Sequence, residues 1–141
     1  MILNLKKLSS DESDLVDPTM YRQLIGSLMY LVNTRPDICF VVSTLSQYMC
    51  EPRQIHWVAA KHVLRYLHGT VGYGLRYLTN SDMHLVGYTD SDCLGSVQDQ
   101  KSTFGCCFSL GFAVISWFNR KQTSIALSSA EAKYIAVCMA A

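Results

Sequence analysis

Apolar residues recur every three or four positions through the first half of the chain, then give way to short aromatic and β-branched runs. After Asp17-Pro18, the residues Tyr21, Leu24, Ile25, Leu28, Leu31 and Val32 fall on one face at helical spacing. Asp17 offers a side-chain acceptor to the unpaired N–H groups of a helix start, and Pro18 stands where its missing N–H loses no partner. The spacing predicts a helix over about 18–33. Thr34-Arg35-Pro36-Asp37 breaks it, because the residue before a proline avoids the helical region, and opens a second helix with Ile38, Val41, Val42, Leu45, Tyr48 and Met49 on its apolar face. Glu51-Pro52 interrupts again. A third helix over about 53–68 turns Ile55, Val58, Ala59, Val63, Tyr66 and Leu67 inward, with Gly69 expected as a left-handed cap. Three short-linked amphipathic helices make a small bundle.

From Val71 onward glycines and turn residues separate four runs predicted as strands: Leu75-Arg76-Tyr77-Leu78, then residues 83–88, 104–110 and 113–118. The final segment opens with Ser128 as a cap and continues in strong helix formers to the last residue. Residues 8–17 are short, polar and acidic, suited to a linker or a strapped-down tail. The expected organisation is therefore a tail over 1–17, a helical region over 18–70 and a mainly stranded region over 80–141.

Half of the residues are apolar, which argues for packed cores and against disorder. A formal net charge of +1 gives no global field for a polyanion, so nucleic-acid contact would need a local patch. Lys61 and Arg65, four apart on the third helix, could form one, although a merely solvated basic face has the same pattern. The six cysteines form no C-x-x-C pair and sit mostly in apolar runs, as reduced thiols inside a cell would. His56, His62 and His68 recur every six residues and so point to different sides of a helix, a poor basis for a metal site. No apolar run reaches membrane-spanning length and no signal sequence is visible. The chain is expected to be soluble, intracellular (cytoplasm or nucleus) and not secreted.

Two carboxylates stand where chemistry could be carried. Asp90 and Asp92 follow the run Leu85-Val86-Gly87-Tyr88, where a strand is expected to leave its sheet. An ordinary polar strand-end loop would look the same. Glu131 lies in the first turn of the last helix, where it also complements the helix dipole and completes a Ser128-x-x-Glu131 capping box.

Several motifs in order extend the picture: Tyr21-Arg22-x-Leu24-Ile25-Gly26-Ser27-Leu28-x-Tyr30-Leu31, Thr34-Arg35-Pro36-Asp37-Ile38, Lys61-x-Val63-Leu64-Arg65-Tyr66-Leu67-x-Gly69-Thr70, Gly87-Tyr88-Thr89-Asp90-Ser91-Asp92, Lys101-Ser102-Thr103-x-Gly105, Ser116-Trp117 and Ser128-Ser129-Ala130-Glu131-Ala132-x-Tyr134. From Asp17 to Ala141 the chain resembles the pol polyprotein of copia-type retrotransposons at the junction of reverse transcriptase and ribonuclease H. The resemblance implies an α+β fold: a three-helix reverse-transcriptase thumb- or connection-like bundle, then a partial ribonuclease H-like sheet of three antiparallel strands and one helix. It implies a parent enzyme that cuts the RNA strand of an RNA–DNA hybrid using two magnesium ions, with Asp90 and Glu131 as catalytic carboxylates and metal ligands. The family's other acidic ligands would come from elements after residue 141. The chain alone is thus expected to be inactive, with weak or absent Mg2+ affinity and a sheet edge that another protein could cover. Cys93-Leu94 departs from the Trp and small residue usual after Asp-x-Asp, as a decayed copy would. The alternative is a non-catalytic interaction or effector-like protein derived from such a fragment.

Overall fold

The computed structural model of the chain describes residue 8 and residues 13–78, 83–92 and 101–140. Cys93, Leu94 and the final residue lie outside them. The chain divides into two compact units, Met1–Gly74 and Leu75–Ala141.

In the first unit, α1 spans Pro18–Val32, a 3-10 turn spans Pro36–Ile38, α2 spans Cys39–Ser46 and α3 spans Gln54–Gly69. Asp17 caps α1 as its sequence demands, its Oδ1 accepting from the Thr19 N–H at 2.8 Å. The stripe read from the sequence becomes a core: Tyr21, Ile25 and Leu28 of α1 pack with Ile38, Val42 and Leu45 and with Ala59, Ala60 and Val63 of α3. The Tyr21 hydroxyl, carried inward by its ring, donates to the Leu45 carbonyl at 2.9 Å, and burial pushes its pKa upward.

Three details depart from expectation. The second helix ends at Ser46, so Tyr48 and Met49 pack from the following turn; Tyr48 stacks on His56 with ring centroids 3.9 Å apart. Val58 is 41% exposed, and Ala60 takes the inward place, because α3 is rotated to bury His56. Gly69 is itself helical and the described glycines take positive φ at Gly111 alone. Thr70 ends the helix instead, its hydroxyl donating back to the Tyr66 carbonyl at 2.8 Å.

Residues 13–17 form a strap. Val16 N–H donates to the Pro52 carbonyl, Gln54 N–H to the Asp14 carbonyl, and the Arg53 guanidinium to the Ser13 carbonyl. These bonds hold the segment across the start of α3.

In the second unit, β1 spans Leu85–Asp92, β2 Thr103–Leu110, β3 Ala113–Lys121, and α4 Ser129–Ala140. The sheet is antiparallel in the order β1-β2-β3, which leaves β1 as an edge strand among the described residues. Gly111, at φ 61°, makes the tight turn between β2 and β3 that a side chain would strain. The small buried faces of Ala132 and Ala136 bring α4 close to the sheet, where Ala136 meets Phe104 and Cys106. Phe104 and Phe118 meet edge to face, 5.8 Å between centroids. Buried Gln122 ties the layers: its N–H donates to the Ser102 carbonyl and its Nε2 to the Ala132 carbonyl at 2.8 Å.

The run 75–78 is not a strand; Tyr77 instead anchors it by donating its hydroxyl to the Val114 carbonyl. Helices followed by a three-stranded antiparallel sheet and a trailing helix give the expected α+β, partial ribonuclease H-like arrangement. No helix among the described residues is long and apolar enough to cross a membrane.

Candidate functional site

β1 continues through Asp92, so Asp90 and Asp92 lie inside the strand and do not follow it. A carboxylate is tolerated there because strand residues alternate sides. Ser91 faces the packed side and is buried, whereas the Asp90 side chain is 85% exposed. Asp90 stands opposite Gly105 on β2, which in turn stands opposite Asn119 on β3. A Cβ on Gly105 would sit 2.7 Å from Asn119 Oδ1. The glycine of the Lys101-Ser102-Thr103-x-Gly105 motif therefore lets the Asn119 amide lie across the row that ends at Asp90.

Glu131 occupies the first turn of α4. Its N–H donates to Ser128 Oγ at 3.1 Å, and its Oε2 accepts from the Leu127 N–H at 2.7 Å. Half of the capping box read from the sequence forms: Ser128 Oγ accepts from the Glu131 N–H, whereas the Glu131 carboxylate takes the Leu127 N–H in place of the Ser128 N–H. α4 packs against β1, so the two elements bearing the candidate carboxylates are neighbours.

One cation is already present. Lys133 Nζ lies 3.8 Å from Asp90 Oδ1, while that same oxygen accepts from the Ser91 N–H at 2.9 Å. Magnesium requires near-octahedral oxygen ligation. Among the described residues no group of three or more His, Cys, Asp or Glu could hold a metal ion. With Glu131 engaged at a helix cap and Asp90 beside an ammonium, the described residues do not fit a magnesium centre by themselves.

Lys61 and Arg65 are in the other unit, both exposed and one turn apart on α3. Lys61 Nζ stands 5.2 Å from the centre of the Trp57 ring, a cation–π contact that partly orders it.

Sequence reasoning missed the residues that act through partners far along the chain. The Arg35 guanidinium, 8% exposed, forms a two-pronged bridge to Asp37 at 3.0 and 2.8 Å. It also donates to the Thr70 carbonyl and hydroxyl at 3.1 and 2.7 Å, and the Tyr66 hydroxyl donates to Asp37 at 2.8 Å. The hydrogen bonds from Arg35, first among several causes, hold the Asp37 carboxyl below its ordinary pKa. Two quoted motifs, one around Arg35-Pro36-Asp37 and one ending at Gly69-Thr70, are thus halves of one structural clamp. His56 is likewise structural: Nδ1 accepts from the Arg53 N–H at 3.0 Å, leaving Nε2 to donate to the Leu8 carbonyl at 2.9 Å.

No protein-family profile matches the chain, and no solved structure does. Curated relatives do. The chain is 46% identical over 123 residues to the Retrovirus-related Pol polyprotein from transposon RE2 of Arabidopsis thaliana, covering 87% of this chain and 8% of the polyprotein. It is 44% identical over 117 residues to the corresponding polyprotein from transposon TNT 1-94 of Nicotiana tabacum, covering 82% of this chain and 9% of that one. It is also 44% identical over 118 residues to Secreted RxLR effector protein 161 of Plasmopara viticola, covering 83% of each. The chain therefore spans less than a tenth of the Pol polyproteins and most of the effector. With the ordered motifs, the helical unit and the sheet-plus-helix unit all in place, the chain belongs to the retrotransposon Pol family and carries part of its ribonuclease H-like fold.

Proposed function

We propose that this chain is a segment of a retrotransposon polyprotein whose parent enzyme degrades the RNA strand of RNA–DNA hybrids. The observation that carries the reading is the packing of α4, with Glu131 in its first turn, against β1, which bears Asp90, in a chain 46% identical to a Pol polyprotein. Asp90 and Glu131 are the proposed ligand positions for the parent's magnesium, completed by groups outside the described residues. The described residues alone do not cut, and their affinity for Mg2+ is weak. Lys61 and Arg65 are proposed to follow the phosphates of the hybrid, a contact that weakens steeply with salt. The proposed location is intracellular, in keeping with cysteines that stand unpaired among the described residues.

The test is cleavage of a labelled hybrid in magnesium by this chain, by a longer Pol segment containing it, and by that segment with Asp90→Asn. Cutting by the longer segment alone, abolished by Asp90→Asn, is the expected result. Cutting that survives Asp90→Asn would sink the assignment.

One observation favours a second reading. A relative of matching span is named a secreted effector, so a non-catalytic interaction module derived from the same ancestor is the alternative. In that case Asp90→Asn and Glu131→Gln would leave its binding unchanged, and a partner would cover the β1 edge.

A further inference from the structure

The helix that bears Lys61 and Arg65 begins without a side-chain acceptor at its N-cap. Arg53 holds that position and its guanidinium only donates, so the unpaired N–H groups that open the helix need acceptors from elsewhere. They come from the strap and from His56. The Gln54 N–H donates to the Asp14 carbonyl at 2.9 Å, and the Arg53 N–H to His56 Nδ1 at 3.0 Å. The same stretch holds the strap in return. The Val16 N–H donates to the Pro52 carbonyl at 2.9 Å, the Arg53 guanidinium to the Ser13 carbonyl at 3.0 Å, and His56 Nε2 to the Leu8 carbonyl at 2.9 Å. Leu8 sends its side chain into the helical core, whereas Leu15 is 69% exposed. His56 stands where these bonds meet: it is 2% exposed, its ring is stacked on Tyr48, and one nitrogen closes the first turn of α3 while the other holds Leu8.

We propose that Leu8 and residues 13–17 open and close as one unit, with His56 as the latch, while the core of α1, α2 and α3 stays shut. The reason lies in what holds each part. The core is closed by large buried side chains, among them Tyr21, Ile25, Ile38 and Leu45, whose separation exposes much apolar surface. Residues 13–17 are held through hydrogen bonds, each of small net worth, and Leu8 adds one apolar anchor, so opening lies well below global unfolding. Because one rigid ring makes both His56 bonds, a movement that releases Leu8 also releases the Arg53 N–H, and the first turn of α3 loosens with the strap. That turn bears Trp57, on whose ring Lys61 is seated. An open strap therefore loosens the seat of Lys61. This consequence rests on the phosphate-following role proposed for Lys61; the opening itself does not.

The experiment is amide hydrogen exchange by NMR on the full chain, for the wild type, His56→Phe, Leu8→Ala and Arg53→Ala. The Val16 and Gln54 amides read the strap, and those of Ile25 and Val63 read the core. In the wild type Val16 and Gln54 should share one protection factor, at least about tenfold below those of Ile25 and Val63. His56→Phe keeps a ring against Tyr48 and removes both nitrogens; it should speed Val16 and Gln54 together by roughly five- to tenfold and leave Ile25 and Val63 unchanged. Leu8→Ala, which leaves both His56 bonds available, should speed the same two amides by at least as much. Unchanged exchange at Val16 and Gln54 in either variant would overturn the proposal, and so would equal acceleration of Ile25 and Val63. Arg53→Ala alters a side chain outside the core and reads the strap even where His56→Phe fails to fold. It should speed both strap amides by roughly threefold or more; acceleration of one without the other would show that they do not open as a unit.

Discussion

The two units solve the problem of burial differently. The helical unit encloses large side chains, among them Tyr21, Ile25, Ile38 and Leu45, and adds a buried guanidinium whose hydrogen bonds are met by Asp37 and Thr70. The sheet unit encloses Phe104, Cys106 and Ala136 as its cluster and leaves Leu85, Tyr88, Phe112, Leu127 and Tyr134 more than half exposed. Of these, Leu85 and Tyr88 lie on the edge strand β1, and exposed apolar side chains beside an open strand edge are the kind of surface through which proteins meet partners. The contrast teaches that similarity to one family over both units does not mean equal self-sufficiency: the first carries its own core, and the second depends more on small contacts such as the Gln122 tie.

The largest test of that contrast is Ile25→Ala. Truncating a fully buried branched side chain in a well-packed core costs about 3 kcal/mol, and urea unfolding followed by Tyr48 and Trp57 fluorescence should show the loss. Amide protection of β2 should stay unchanged; its collapse alongside the helices would break the distinction between the units.

A medium effect is expected at the Arg35 clamp. Because Asp37 titrates below its ordinary 3.8 in the folded protein, its contribution is fully present above that unfolded value and is lost as pH falls through the lower folded one. Melting of the helical unit should therefore lose stability as pH drops below about 4. Asp37→Asn should flatten that part of the profile and cost about 2 kcal/mol at neutral pH, since Arg35 would remain buried with a weaker partner. An unaltered acid limb in Asp37→Asn would show that other carboxylates set it.

The smallest effect belongs to the sheet unit. Gln122→Ala removes the hydrogen bond to the Ala132 carbonyl and should cost about 1 kcal/mol. Hydrogen exchange would read it as faster opening of α4 with β2 and β3 retained. If α4 protection did not change, the tie would not be what holds the helix down.

Much of this fold could be read from local pattern. The α1 stripe and the Asp17 cap, the break at Pro36, the β2 and β3 runs and the Ser128–Glu131 capping relation each depend on residues within about one helical turn or one strand repeat, the range over which periodicity operates. The misreadings fall where long-range packing overrides that local signal. Residues 75–78 have strand composition yet are held by a Tyr77 hydroxyl bonded 37 residues away. Val58 belongs to the apolar set of α3 but is displaced outward by the burial of His56. The β1 strand runs on through two aspartates because pairing with β2 decides its length.

The sequence by itself determined the order of elements, their approximate limits, the family, and the two carboxylates worth testing, since these follow from short-range spacing and from motifs. Only the tertiary structure decided what those residues meet. Arg35 reaches Thr70 across 35 residues, His56 takes the Leu8 carbonyl across 48, Gly105 makes room for Asn119, and Lys133 comes to rest beside Asp90. Such partners are set by strand register and by which helix face is buried, and neither is written in the neighbourhood of the residues concerned.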